Sequence, residues 1–333
     1  MLEKAKNEFV KNKVTYWCLF VFFCVVTIFA WQCDDAYHGH IMSQHLIEGK
    51  GFVYNVGERV SASTCPLNTL IVAGLLAIFK SAYWVGIFEN ILFSMGAAFI
   101  LLKHACKTDS SRILTTILLI ISNSFISYTT SGLENALLFF LMALFLYVFL
   151  KNERYGLKQL FWLSLIASLI LFTRMDNALF VAPMLLYALV KKEKSVGIIK
   201  ALLVCALGMI PFLAWEVFSV IYYGLPVPNT AYIKLGTGIP QSEYFTKGAL
   251  YYFRTFLFDP AIVVLMFAFI VFAIIRKDKK IITIATGVFL YMLYILYIGG
   301  DFMVGRHFTV AYFMSLYALN ALLQKSTISI GKE

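Results

Sequence analysis

Charged residues are scarce in this chain of 333 residues, where they make up 14% of the sequence. An average soluble domain has roughly 25%. Hydrophobic residues reach 61% and the mean hydropathy is +0.81, which excludes an ordinary water-soluble fold. The sequence also lacks HExxH, paired CxxC, Walker and GxSxG motifs. Zinc-dependent, ATP-driven and serine-hydrolase chemistry therefore have no support.

The sequence contains many long apolar runs. A bilayer crossing needs roughly 20 largely apolar residues, and ten runs approach this length. They predict an all-α polytopic membrane protein in which residues 1–333 form a single transmembrane domain. The predicted crossings are 14–33, 84–102, 113–129, 133–150, 160–173, 177–190, 200–222, 258–275, 281–298 and 308–323. The shorter apolar run 66–80 predicts a juxtamembrane helix, re-entrant or interfacial, inside the first outer loop.

The net charge of +10 follows the predicted topology. With the N-terminus placed inside, 20 of the 28 Lys and Arg residues fall in the inner segments, as the positive-inside rule requires. We therefore expect a multi-pass protein of the cytoplasmic (inner) membrane with both termini cytoplasmic. No basic stripe is interleaved with aromatic residues, so the predicted surroundings are membrane lipid and no nucleic-acid partner is expected.

Acidic residues concentrate on the other side of the predicted topology. Of the 18 Asp and Glu residues, 11 lie in outer segments or in predicted crossings. Ionisable groups at a membrane are costly and usually functional. The two long outer loops, 34–83 and 223–257, are therefore expected to form an active-site face. Cys33 and Cys65 also lie on this side, and two separate thiols are favoured there over a disulfide.

Asp34 and Asp35 directly follow the first predicted crossing. Adjacent carboxylates repel each other, so one pKa should rise while the other stays low unless a cation lies between them. Such a pair suits a general base, a metal ligand or both. The alternative is a solvated cap for the end of the first crossing. We favour the functional interpretation because Ser or Asn would cap a helix without the repulsion.

Two tight turns carry the next candidates. Glu134 follows TSGL at a predicted helix start, where it either contacts a ligand or completes a capping box. Arg174 and Asp176 lie in a hairpin between two crossings, either as ligand-binding groups or as a local ion pair that closes the turn. Exposed ion pairs contribute little stability, which favours the binding role.

Two later segments offer hydrogen-bond donors and cations. The stretch YYGLPVPNTAYIK contains Asn229, Thr230 and Lys234, which suit phosphate or sugar hydroxyls, and its two Pro residues predict an extended backbone. An ordinary lid-like loop is the alternative. The stretch GGDFMVGRHF contains Asp301 and Arg306, and an Arg side chain can bind an anion through two N–H groups. A tight loop whose charges pair with each other is the alternative.

Six motifs resemble those of the GT-C polyprenyl-phosphate-dependent glycosyltransferases, most closely the bacterial terminal β-arabinofuranosyltransferase group. In chain order they are DDAY, EGKGFVYNVGERV with the following Pro66, TSGLE, LFTRMDNAL, YYGLPVPNTAYIKLG and GGDFMVGRHF. They span residues 31–312, and their order makes the set more specific than any one motif. Three differences stand out. His38, Gly39 and His40 follow DDAY where the family more often has bulky or hydroxyl residues with an Arg. RMD replaces the more usual RPE or RPD, and the group's C-terminal extracytoplasmic domain has no counterpart after the last predicted crossing. We expect the sugar and the polymer specificity to differ accordingly.

The resemblance implies a GT-C-like bundle of about ten transmembrane helices with inverting glycosyltransferase activity. A sugar such as a pentofuranose would pass from polyprenyl phosphate to a glycan on the outer side of the cytoplasmic membrane, in surface polysaccharide, lipopolysaccharide or cell-wall biosynthesis. Asp34 would be the base, and Asp35 would orient the acceptor or bind a divalent metal such as Mg, Mn or Ca. The implied donor-phosphate ligands are Arg306, Arg174, Lys234 and His307. The implied sugar and acceptor contacts are Glu134, Asn229, Asp301, Tyr37 and Asp176.

Two other classes of function remain open. A lipid-linked sugar flippase or small-solute transporter should place ionisable groups near mid-membrane and often contains repeats with broken helices. A non-catalytic scaffold for glycan assembly would leave the acidic outer face without a purpose. The predicted clustering of polar groups at one face favours a one-sided enzyme. Substitution of the outer carboxylates distinguishes the three classes.

Overall fold

The fold is helical throughout the part of the chain that the structure describes. This computed structural model describes residues 12–235 and 238–330, with side chains for 12–232 and 238–323. Helix makes up 76% of the described residues, and no strand forms among them. An isolated bridge pairs Tyr155 with Lys192. The all-α prediction is therefore confirmed.

Sixteen α-helices are described, and we number them in chain order. They are α1 Lys13–Ile28, α2 Ala36–Ile47, α3 Pro66–Phe79, α4 Ala82–Ile100, α5 Asp109–Ile121, α6 Asn123–Ser127, α7 Asn135–Lys151, α8 Leu157–Thr173, α9 Ala178–Val190, α10 Ile198–Gly208, α11 Ile210–Tyr223, α12 Asn229–Leu235, α13 Gln241–Phe258, α14 Pro260–Arg276, α15 Lys279–Tyr297 and α16 Phe308–Ile330. A π-helical turn, Leu101–Ala105, prolongs α4, and a 3-10 turn, Met175–Asn177, precedes α9.

Fewer helices could cross a membrane than the ten predicted crossings. Two are long and apolar enough, Ala82–Ala105 and Lys279–Tyr297, and there are up to four if each of two bent helix pairs forms one span. Every predicted crossing contains helix, but the apolar runs continue past the helix ends. The run 14–33, for example, leaves the helix after Ile28. About ten crossings are therefore not confirmed within the described residues.

The two bent pairs have local causes. Helices α13 and α14 meet at 112°, where Asp259 caps α14 by accepting from the N–H of Ile262 and Pro260 supplies no N–H to continue α13. Helices α10 and α11 meet at 57°, with Gly208 ending the first and Pro211 in the first turn of the second. In both pairs, a Pro in the first turn of the second helix accounts for the bend.

A ring cluster at the centre of the bundle fixes how α7 and α16 pack. The rings of Phe125 and Phe139 stack with centroids 4.7 Å apart, and Phe139 stacks on Phe313 at 5.8 Å. All three side chains are buried. Because α7 and α16 pack together, the residues that precede them, Glu134 and Arg306, come to the same end of the bundle. We call this the Glu134 end.

Residues from three predicted inner segments meet at the other end. The ammonium group of Lys280 donates to the carbonyl oxygen of Asn152 at 2.5 Å and to the carboxylate of Glu153 at 3.0 Å. The N–H of Tyr155 donates to the carbonyl oxygen of Lys191. The basic segments are thereby separated from the Glu134 end by the length of the bundle.

The segment after α1 folds back onto the Glu134 end. Helix α2 packs on α3, and the Ser43 hydroxyl donates to the backbone oxygen of Thr69 at 2.9 Å. The apolar run 66–80 is helical, as predicted, and forms α3, which begins at Pro66; its juxtamembrane position stays a prediction. Helix α3 also packs against α4 and α8, so this segment is part of the bundle and positions Asp35 beside it.

Candidate functional site

Three helix ends meet around one buried carboxylate. Glu134 precedes α7, Arg174 follows α8, and Arg306 lies before α16. The Glu134 side chain is 2% exposed and accepts from Arg174 Nη1 at 2.7 Å and from Arg306 Nη2 at 3.1 Å. It makes no side-chain capping hydrogen bond, so the capping-box interpretation is wrong. One carboxylate therefore joins two guanidinium groups from distant parts of the chain.

Arg174 holds a second carboxylate as well. Its Nε donates to Asp176 Oδ1 at 3.1 Å and its Nη2 to Asp176 Oδ2 at 2.6 Å, a bidentate pair. The local ion pair that the hairpin suggested is thus present. It is extended by the contact with Glu134, which makes Arg174 a bridge between Asp176 and Glu134.

The loop before α16 adds an acid and a histidine. Asp301 Oδ2 lies 3.2 Å from His307 Nε2 and 3.8 Å from Arg306 Nη1. The charges of this loop therefore pair with each other, as one interpretation proposed, but Arg306 also reaches Glu134. Arg306 Nε is buried and has no hydrogen-bond partner among the described residues. We call Glu134, Arg174, Asp176, Asp301, Arg306 and His307 the ion cluster.

The charges in the ion cluster alter the acidities of its members. Burial alone would raise the pKa of Glu134, but Arg306 and Arg174 outweigh it and hold this pKa below its ordinary value. Burial would likewise raise the pKa of Asp176, and Arg174 lowers it. For His307, burial lowers the pKa despite the hydrogen bond that its ring donates to Asp301. The cluster thus combines ionised carboxylates and guanidinium groups with a neutral imidazole.

A small cavity lies inside the ion cluster. Its volume is about 10 Å³, which holds roughly one water molecule. A sugar ring needs far more room, so it could enter only if side chains of the cluster moved apart. The cavity is lined by Glu134, Asn135, Leu138, Arg174, Asn177, Tyr291, Arg306, His307 and Val310.

The two adjacent aspartates lie beside the loop that carries Glu134. Just before them, the N–H of Cys33 donates to the carbonyl oxygen of Ser131 at 3.0 Å. Asp34 is exposed, whereas Asp35 is half-buried at the start of α2 without a side-chain capping hydrogen bond. Helix α1 ends at Ile28, well before Asp34. A capping role at the end of the first helix is therefore wrong for this pair.

A small apolar cluster ties the aspartates to the ion cluster. It consists of Cys33, Ala36, Tyr128, Leu133 and Met303, which lie within or just before the DDAY, TSGLE and GGDFMVGRHF segments. Arg174 joins the RMD segment to the same region through Glu134. Four of the predicted motifs therefore meet at one end of the bundle, which supports their interpretation as one site.

Three predicted site residues lie outside the described contacts of the ion cluster. Tyr37 is exposed and packs edge-on against His40, with ring centroids 5.5 Å apart. The N–H of Asn229 donates to the carbonyl oxygen of Ser61 at 2.9 Å, so this residue is tied to the first long loop. The side chain of Lys234 is outside the described residues. The extended backbone predicted here is wrong in part, because α12 begins at Asn229, directly after Pro228.

Several polar residues of the region were not predicted as site residues. Asn135 donates to Thr309 Oγ1 at 3.0 Å and so links α7 to α16. Asn177 and Tyr291 line the cavity of the ion cluster, and His40 and Asn68 line a second cavity beside Asp35. Asn135 directly follows Glu134 and Asn177 directly follows Asp176, so their positions in the sequence were a usable signal. The other three lie within helices, where nothing in the sequence marks which side chains face the site.

The described residues contain neither a disulfide nor a metal-binding group. All six cysteines are free, and this confirms separate thiols at Cys33 and Cys65. Among the described residues, no group of three or more His, Cys, Asp or Glu side chains has the arrangement of a metal site. A divalent ion at Asp35 would therefore need ligands from substrate phosphate or water. Metal dependence stays a prediction.

No protein-family model matches this sequence, and no curated protein matches it. The assignment of a function therefore depends on the motifs and on the geometry of the Glu134 end.

Proposed function

We propose that the protein is a membrane glycosyltransferase of the GT-C type that transfers a sugar from polyprenyl phosphate to a glycan. The observation that supports this most is the ion cluster. Its six members come from three segments far apart in sequence, and each had been predicted for the site. The DDAY segment packs against the same loops. A purely structural salt bridge would need neither this number of charges nor two more carboxylates beside them.

The reaction requires a base at the acceptor. In the proposed step, an acceptor hydroxyl oxygen forms a bond to the anomeric carbon while the bond from that carbon to the phosphate oxygen breaks. The hydroxyl proton passes to a carboxylate of the Asp34–Asp35 pair, and direct displacement inverts the anomeric centre. A positioned carboxylate accelerates such a proton transfer by about 10²–10⁴-fold.

The departing polyprenyl phosphate requires cationic hydrogen-bond donors. Arg306 is the better placed of the two guanidinium groups, because its Nε has no hydrogen-bond partner among the described residues and its contact with Asp301 is a long one, 3.8 Å. Arg174 is held by two short contacts and would act mainly by orienting Glu134. In this proposal phosphate replaces Asp301 as the partner of Arg306. Glu134 keeps both cations in place before the donor binds.

A transporter is the second candidate, and one observation favours it. Glu89 is 1% exposed and lies inside Ala82–Ala105, one of the two helices long and apolar enough to cross a membrane. Buried acids within such helices are typical of ion and proton pathways. The Glu89→Gln variant distinguishes the two functions. It should leave sugar transfer unchanged in a glycosyltransferase, and it should abolish substrate movement in a proton-coupled transporter.

Glycan mass spectrometry on cells that lack the gene tests the proposed function. Complementation with wild type should restore the mass of one sugar on an envelope glycan, whereas Asp34→Asn combined with Asp35→Asn should not. The matched control is Asp109→Asn, since Asp109 is an exposed partner of Arg112 at the start of α5. A glycan that is identical with and without the gene would contradict the proposal.

A further inference from the structure

A second cavity, beside Asp35, has no role in the chemistry proposed so far. It lies between α2, α3 and the loop that precedes Glu134, and its volume is about 30 Å³. Its polar lining comes from Asp35, His40, Cys65, Asn68 and Thr69. Of these, the Thr69 hydroxyl is already bonded to the backbone oxygen of Cys65 and to Ser63. Asp35, His40 and Asn68 are the groups left to recognise a ligand.

The tautomer of His40 follows from its neighbour Gln32. The Gln32 amide nitrogen donates to the carbonyl oxygen of Tyr83 at 2.9 Å, which fixes the orientation of the amide. Gln32 Oε1 then faces His40 Nε2 at 3.2 Å and accepts from it. Burial lowers the pKa of His40, so the imidazole is neutral. Its Nδ1 is consequently an acceptor, and it has no partner among the described residues.

Asn68, on the neighbouring helix α3, resembles His40 in having a buried acceptor atom without a hydrogen-bond partner among the described residues. Its side chain is 5% exposed and that of His40 is 4% exposed. The Oδ1 atom of Asn68 also has no hydrogen-bond partner in the part of the chain that is described. Buried polar atoms in folded proteins are nearly always hydrogen-bonded. Two unpaired acceptors that belong to residues of one cavity therefore indicate a missing donor.

The size and chemistry of the cavity narrow the choice of donor. A volume of about 30 Å³, three times that of the cavity in the ion cluster, admits one or two hydroxyl groups and excludes a whole sugar ring. The open acceptors select an O–H donor, and the Asn68 amide can also donate. We propose that His40 and Asn68 form a subsite that binds one hydroxyl group of the acceptor sugar and so places a neighbouring hydroxyl at Asp35. This inference rests on the proposed glycosyltransferase function.

Binding of simple glycosides tests the subsite without requiring transfer. The full chain in lipid nanodiscs is titrated with methyl arabinofuranoside and methyl mannopyranoside, and saturation-transfer NMR reports binding. Asn68→Leu and His40→Phe replace each polar group by an apolar one of similar size, so the cavity stays filled. Loss of one hydrogen bond should weaken binding of the better glycoside about tenfold. Asn55→Ala, at an exposed position of the same long loop, should bind like wild type.

Transfer kinetics separate failure of the subsite from failure of the function. If both proposals hold, Asn68→Leu raises the acceptor KM about tenfold with little change in kcat, because it removes binding shared by ground and transition states. Asp35→Asn should instead lower kcat. Active transfer with an unchanged acceptor KM in Asn68→Leu would overturn the subsite alone. Glycoside binding that depends on Asn68, in a protein that transfers no sugar, would overturn the function alone.

A bound water is the competing occupant of the cavity. In that case the variants would change thermal stability and leave both glycoside binding and the acceptor KM at wild-type values, which would overturn the subsite. If Asn68→Leu fails to fold, His40→Gln serves in its place, since Gln at position 40 can retain the contact with Gln32. The subsite predicts weaker glycoside binding in that variant too.

Discussion

Glu134 and Arg306 form an ion pair at 3.1 Å although they are 172 residues apart in sequence. Glu134 lies directly before α7 and Arg306 lies two residues before α16, and these two helices pack together at the centre of the bundle. The packing of those helices brings the two charges to one place, and Arg174 completes the contact from a third helix end. The positions of these charges at the Glu134 end therefore depend on the packing of the apolar core.

Removal of the Glu134 carboxylate should destabilise the fold strongly. Glu134→Ala removes the carboxylate shared by the buried Arg306 and the partly buried Arg174, and loss of one partner of a buried ion pair costs about 3–5 kcal/mol. Unfolding by denaturant in mixed micelles measures the change. Glu58→Ala is the control, because Glu58 is exposed and hydrogen-bonds to Asn55. Equal stabilities for the two variants would show that the Glu134 contacts contribute nothing to the fold.

The buried His307 predicts a pH dependence of stability. Because burial lowers its pKa in the fold, the unfolded chain binds a proton first as the pH falls through about 6.5. Stability should therefore decrease below that pH, down to the folded pKa, and stay constant above it. Asp301, Arg174, Arg306 and Tyr291 are the groups that face this imidazole.

The His307 effect is measured as a difference between two pH values. The melting temperature of wild type should fall between pH 7.5 and pH 5.5 by more than that of His307→Gln, which has no imidazole to protonate. If the two proteins lose the same amount, the dependence comes from other groups and the assignment of a neutral His307 is wrong.

Gly132 should be required for the close approach of α2 to the Glu134 loop. Its φ is +76°, and an added Cβ would lie 2.7 Å from the Cβ of Ala36. Gly49 has nearly the same φ, +74°, with nothing within 4 Å of an added Cβ. Both Gly→Ala variants therefore carry the backbone strain, of order 1–2 kcal/mol, and Gly132→Ala alone carries the clash. Thermal unfolding should show Gly132→Ala as the less stable, and the reverse order would contradict this packing.

Substitution of Arg306 should slow sugar transfer and weaken binding of polyprenyl phosphate. Arg306→Gln removes the cation proposed for the leaving phosphate, and loss of one such donor typically lowers kcat about 10²–10³-fold. Arg154→Gln, at an exposed position near the opposite end, should transfer at the wild-type rate. Native mass spectrometry should also show weaker retention of polyprenyl phosphate by Arg306→Gln. Full activity in this variant would remove Arg306 from the mechanism.

Much of the helical content could be predicted from the sequence, because long apolar runs leave no other way to satisfy backbone hydrogen bonds in lipid. The ends of the helices could not. The run 113–129 reads as one segment, yet Ser122 accepts from the N–H of Phe125 and divides it into α5 and α6. Apolar composition does not show where a helix stops, so the ten predicted crossings are not confirmed by helices of sufficient length among the described residues.

The candidate site was predictable to the extent that charge is rare near a membrane. Glu134, Arg174 and Arg306 stood out because each lies beside an apolar run, where charges are few. Their mutual contacts could not be read from the sequence, since these depend on how three helices pack. The sequence marks His40 only as a difference from the family pattern and does not mark Asn68, because a polar residue within a helix carries no signal of the cavity it lines.

Transfer from a defined donor is the most direct test of the proposed glycosyltransferase activity. Purified wild type is reconstituted into liposomes with polyprenyl-phosphate-linked radiolabelled pentofuranose and with glycan from cells that lack the gene. A glycosyltransferase should place the label on the glycan and release an equal amount of polyprenyl phosphate. The double variant Asp34→Asn, Asp35→Asn should be at least about 100-fold slower. Movement of intact lipid-linked sugar across the bilayer without release of polyprenyl phosphate would contradict the account and identify a transporter.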